Sequence, residues 1–310
     1  MRLSSVKLSI LALFVCVVIA LSAASAFADA VGVSVFAQSI TSVPQVTIDE
    51  NGDPVLNGEA NTIAKEFVTG TMPVNAFSLV PIKNFQQVTY LDVQQKALYT
   101  DTATSNINTL SFGQGELRDW INSSSGSTNP SLHGLSESSA AGTIIWNDVL
   151  SVPSKGLPEG TPVVLTATYH LAASFTASGD LGNGNGLDGV AFLQDTNTGQ
   201  IIEFENSIFT PNPVINLTQV QMLNARVGDV LTLQEELVGT LSGNSVYMGS
   251  VNASDTSFLN IQDVTAGSSL QSASGINYAT VGVATPEPSA LCLLIMGLLC
   301  IAISLRRTEA

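Results

Sequence analysis

"TPVVLTATYHLAASFTASG", Thr161 to Gly179, decides the fold class. Val163, Leu165, Ala167, Tyr169, Leu171, Ala173 and Phe175 fall on one parity, while Thr166, Thr168, His170, Ser174 and Thr176 fall on the other. Successive side chains of a strand point to opposite faces, so this alternation predicts a long half-buried strand, or two strands with a bend. A helix would spread the same apolar residues around its whole circumference. Next along the chain, "GVAFLQDTNTGQIIEFEN" (Gly189 to Asn206) places two apolar runs on either side of Asp195-Thr196-Asn197-Thr198-Gly199. That pattern predicts a β-hairpin with a glycine-containing loop.

Similar runs predict strands at Val31 to Ile40, Val43 to Ile48, Ala76 to Ile82, Val88 to Leu98 and Thr143 to Val149. Others follow at Asn216 to Leu223, Asp229 to Leu241, Ser245 to Val251 and Ser257 to Val264. Denser Gln and Leu suggest a short helix within Phe85 to Tyr99, and another is expected within Glu116 to Asn122. Asn122 to Gly142, nearly free of large apolar residues, reads as a loop or linker. Many short strands without alternating helices predict an all-β fold, an antiparallel β-sandwich of jelly-roll type. Residues 29–284 are expected to form one such extracytoplasmic domain, with division at the serine-rich stretch as the alternative.

The two ends differ from this body. Arg2 and Lys7 precede an uncharged run, Leu8 to Leu21, and small residues follow it. This is the layout of a signal peptide over 1–28, with cleavage after Ala28 favoured and Ala26 or Ala30 as alternatives; an uncleaved anchor is the competing reading. Setting aside both ends leaves 6 Lys and Arg against 23 acids, a formal charge of −17 on the body. Such a surface repels phosphate backbones, so nucleic acid is excluded as a partner. Cys16, Cys292 and Cys300 all lie in the ends, so the body holds no disulfide, cysteine-built zinc site or thiol nucleophile.

Few residues in the body suggest chemistry. "SGDLGNGNGLDG" offers Asp180, Asn183, Asn185 and Asp188 as oxygen ligands for calcium, but its spacing departs from an EF-hand loop and a plain turn explains it. Asp49, Asn51 and Asp53 begin a similar pattern, which Pro54 breaks. His133 falls in the serine-rich stretch and His170 on the polar face of the long strand. Glu203 and Glu205 share one side of a strand, a weak hint of a glycosidase-like pair. No nucleophile elbow, zinc-protease helix or phosphate loop is present. The body is therefore expected to be non-enzymatic and to need no cofactor.

At the C-terminus, Thr285-Pro286-Glu287-Pro288-Ser289 precedes an uncharged span, Ser289 to Leu305, and then Arg306-Arg307. Seventeen residues span about 25 Å as a helix, the short end for a bilayer. The arginines then hold the C-terminus in the cytoplasm and the body outside. These three parts in order resemble the PEP-CTERM sorting signal of exported bacterial proteins. The resemblance implies export by the Sec translocase, cleavage by signal peptidase, and transient anchoring in the inner membrane through 289–305. It further implies processing near Pro286, Glu287 and Pro288 by an exosortase, then delivery to the cell surface or an exopolysaccharide biofilm matrix. A second likeness lies upstream. Asp255-Thr256-Ser257 and Ser274-Gly275 with Tyr278 are similar to the paired Asp-x-Thr and Ser-Gly-x-x-Tyr strands that often precede this tail. The expected function is that of an exported surface or extracellular-matrix protein. The alternatives are a carbohydrate-binding module or adhesin, with or without calcium at the Asp180 loop, and, less favoured, a polysaccharide-acting enzyme.

Overall fold

A computed structural model describes residues 31–51, 54–71, 76–78, 82–92, 97–113, 115–127, 136–181, 185–253 and 257–281. These form strands and turns, with no helix among them. In chain order the strands are β1 (Gly32–Ile48), β2 (Pro54–Thr71), β3 (Ala76–Ser78), β4 (Ile82–Asp92), β5 (Ala97–Gly113), β6 (Glu116–Ser127) and β7 (Glu137–Ser151). There follow β8 (Pro162–Leu181), β9 (Gly186–Asp195), β10 (Ile201–Ile208), β11 (Asn212–Arg226), β12 (Val230–Asn252), β13 (Ser257–Asp263) and β14 (Gln271–Ser272).

The pairings among them are antiparallel and trace two layers, as in a β-sandwich. The first runs β2-β1-β7-β12-β9-β10, and the second runs β11-β8-β12-β6-β5-β4. β12 belongs to both. Its residues up to Asn244 pair with β7, and Tyr247 to Asn252 pair with β6 and β8. The corner lies between Gly243 and Tyr247. There the Tyr247 ring folds back over residue 243, where a Cβ would come within 2.1 Å of it, so only glycine fits.

The alternation read in Thr161 to Gly179 is observed. Val163, Leu165, Ala167, Tyr169, Leu171 and Phe175 are buried on the inner face of β8. They meet Trp146, Phe112, Phe204 and the leucines of β12 in one core. Each of the Val, Leu and Phe side chains contributes about 1.5–3 kcal/mol by leaving water. Two edges of the sandwich are closed by amide side chains. Gln219 and Gln221 of β11 donate to the backbone carbonyls of Glu205 and Glu203 on β10. Opposite, Asn84 of β4 donates to the Thr62 carbonyl on β2 (2.8 Å). Edge groups that would otherwise invite another chain are thereby occupied.

Several expectations are corrected. The helices proposed within Phe85 to Tyr99 and Glu116 to Asn122 are strands. β4 and β5 reverse between Asp92 and Ala97, which are register partners, so Val88 to Leu98 is not one strand either. Leu117, Asp119 and Ile121 of β6 point inward at period two, which a helix would not allow. The expected loop or linker at Asn122 to Gly142 is corrected at both ends, since β6 continues to Ser127 and β7 begins at Glu137; residues 128–135 lie outside the described residues. Inward serines of β6 and β7 bond to each other and to neighbouring strands: Ser123 Oγ donates to Ser138 Oγ (2.7 Å), Ser105 Oγ of β5 to the Ser139 carbonyl, and Ser39 Oγ of β1 to the Ser105 carbonyl (2.9 Å). β6 and β7, on either side of residues 128–135, both pair with β12. The two strands expected at Val31 to Ile40 and Val43 to Ile48 are one, Gly32–Ile48, with an irregularity between Pro44 and Val46, where proline is tolerated.

Candidate functional site

β7 is the most buried strand, and Asp148 sits within it, 2% exposed. Three hydroxyls converge on its Oδ2: Ser272 (2.6 Å), Ser274 (2.5 Å) and Tyr278 (2.9 Å). Oδ1 accepts from the backbone N–H of Val149 (2.7 Å) and Ser274 (3.2 Å). Tyr278 Oη in turn accepts from Trp146 Nε1 (2.7 Å), and the Trp146 ring stacks on Phe112 at 4.1 Å. The Tyr278 carbonyl receives the Ile261 N–H, and the Val281 carbonyl receives Asn260 Nδ2. The last described residues are thus latched into the body by one carboxylate and several backbone groups. A cavity of about 170 Å³ beside the latch is lined by Ile261, Asp263, Leu270, Ser272, Ile276 and Tyr278.

This geometry corrects the expected Ser-Gly-x-x-Tyr strand. Residues 273–281 are turns and irregular backbone. An extended chain would separate residues 272 and 278 by about 20 Å. One carboxylate accepts from both, so the segment must fold around it. The sequence signal that Asp148 carried was its place as a lone acid inside an apolar run, Thr143 to Leu150; buried acids need partners.

Asp119 and Glu235 are two of the other buried acids. Asp119 of β6 lies over Gly142 and Gly239, which are register partners on β7 and β12. A Cβ at 239 would stand 2.0 Å from Asp119 Oδ2, and one at 142 would stand 3.1 Å from Oδ1, so the glycine pair forms the notch that admits the carboxyl. Glu235 of β12 is register partner to Trp146 and is fully buried. Neither oxygen of either carboxyl reaches a donor in hydrogen-bonding geometry among the described residues. Burial drives both well above the carboxylate range, with partial relief from the Gly239 backbone for Asp119 and the Leu259 backbone for Glu235. Both are therefore favoured as neutral acids. On the outer face, burial and then the Asp188 charge push Glu236 up to about 7.

Of the described residues predicted for chemistry in different segments, Asp188 and Glu205 are brought together, both accepting from Ser207 Oγ (2.8 and 3.2 Å). Pro286, Glu287, Pro288, Arg306, Arg307, Ala26 and Ala28 lie outside the described residues, as do His133, Asp53, Asn183, Asp255 and Thr256. Among the described residues no helix is long and apolar enough to cross a membrane, and 289–305 lies outside them. Of the proposed calcium loop, Asn185 is bonded to the Ser242 backbone, and Asp188 accepts from Ser207 Oγ (2.8 Å). No group of three or more His, Cys, Asp or Glu side chains able to hold a metal occurs among the described residues. Asp49 accepts from the Asn51 N–H (2.8 Å), closing a simple turn. His170 Nδ1 lies 3.0 Å from Thr218 Oγ1 and its ring leans on Phe258, while burial lowers its pKa. Glu203 and Glu205 are exposed on one side of β10. The Asp195 hairpin is observed: its carboxylate accepts from Asn197 N–H, Thr198 N–H and Thr198 Oγ1. No protein-family model and no curated protein matches the chain.

Proposed function

We propose that this chain is an exported surface or extracellular-matrix protein, non-enzymatic, whose C-terminal tail directs its sorting. The observation that carries the reading is the succession of three parts in the tail sequence: Pro286-Glu287-Pro288, the uncharged span 289–305, then Arg306-Arg307. On this reading the body is a jelly-roll-like sandwich between a cleaved signal helix and a temporary transmembrane helix. Sec export and signal peptidase act at the N-terminus, and an exosortase-type protease acts at the C-terminus. The Asp148 latch supports the reading mechanically. It fixes the chain at Val281, only five residues before Pro286, so pulling or cutting the tail does not strip strands from the core. The acidic, disulfide-free body suits an exterior of polysaccharide and cations. In the producing cells, wild-type protein is expected in the surface and matrix fractions. The variant with alanine at Pro286, Glu287 and Pro288 is expected to remain in the membrane fraction. Equal release of both would refute tail-directed sorting.

A further inference from the structure

The outer face of the second sheet differs in chemistry from the rest of the body. Register aligns three of its rows across the strands. Phe85, Thr104, Ser124 and Met248 form one row; Lys83, Asn106, Asn122, Ser250 and Thr176 form the next; Trp120 and Asn252 belong to the third. Phe85 is 61% exposed, Met248 65% and Trp120 40%, large areas to leave in water without a partner. None of these outward positions carries a carboxylate, although the body holds 23 acids. Lys83 lies in the middle row, and Arg118, two residues from Trp120, adds a second cation paired to Glu116 (2.9 Å). Asn106 Nδ2 donates to Asn122 Oδ1 (2.8 Å), and each amide carries further donors and acceptors beyond that bond. Strand spacing and rise put Trp120 and Phe85 about 16 Å apart, with the amides between them.

We propose that this face is a platform for a polysaccharide chain. The C–H faces of sugar rings stack on Trp120 and Phe85, whose negative ring faces attract them. The amide and hydroxyl rows between take the sugar hydroxyls. The absence of carboxylates from these three rows and the presence of Lys83 admit neutral and anionic chains alike. This deepens the matrix reading above by naming the partner's chemistry and the face that meets it, and it rests on that reading.

The test uses the full purified chain in detergent. It is sedimented with amorphous cellulose, with chitin and with matrix polysaccharide isolated from the producing cells. The wild type is expected to co-sediment with at least one of them. Trp120→Ala and Phe85→Ala should each weaken retention more than about tenfold at unchanged melting temperature. Ile201→Ala, exposed elsewhere on β10, should bind as wild type. Absence of retention on all three, or retention unaffected by both aromatic variants, overturns the proposal. So does a concentration-dependent dimer that Trp120→Ala abolishes, since the face would then serve a second copy. Because the assay bypasses sorting, its failure alongside normal release of the protein counts against the platform alone.

Discussion

Tyr278 is the residue on which the latch turns. Its hydroxyl donates to Asp148 and accepts from Trp146 Nε1, so one oxygen satisfies two buried groups. Tyr278→Phe keeps the ring and strips both bonds. Leaving buried polar groups unpaired costs about 1–3 kcal/mol, and thermal unfolding should show a loss of that size. A second consequence follows from the acids. An acid whose native pKa lies above its unfolded value binds its proton more readily when folded, so stability falls as pH rises between the two values. For Glu236 that window runs from about 4.3, the ordinary glutamate value, to about 7; for Asp119 and Glu235 it begins near the same point and extends upward. The melting temperature should decline as pH rises from about 4.5 to 8. Glu235→Gln should flatten that decline, and an unchanged slope in the variant would refute the buried-acid account.

At the scale of strands, legibility tracked the inward residues. β8 alternates Val, Leu, Tyr and Phe with Thr and His, so period two is plain in the letters. β6 is equally periodic in space, but its inward positions run Leu117, Asp119, Ile121, Ser123 and Ser125. Serines that bond to other strands look like linker until the partner strands are known. β2 escaped notice because it is an edge strand with exposed Asn61, Thr62 and Ile63 on both parities. The latch was half visible: Ser274 and Tyr278 stood out as a pair, while their common acceptor Asp148 lies 126 residues earlier than Ser274. Long-range convergence of this kind leaves no local periodicity. The edge amides were likewise silent in the sequence. Gln219→Ala with Gln221→Ala frees the Glu203 and Glu205 carbonyls on β10. Light scattering should then report self-association at concentrations where the wild type stays dispersed.

For the whole molecule, three parts divide the work. The body is an acidic all-β fold and the latch fixes its C-terminal exit; in the function proposed above, the tail carries the destination. The most direct measurement is the intact mass of the mature protein recovered from the cell exterior. The account predicts a polypeptide beginning after Ala28 or a neighbouring small residue and ending near Pro286-Glu287-Pro288, without residues 289–310. A mass that retains the apolar span and Arg306-Arg307 would contradict it.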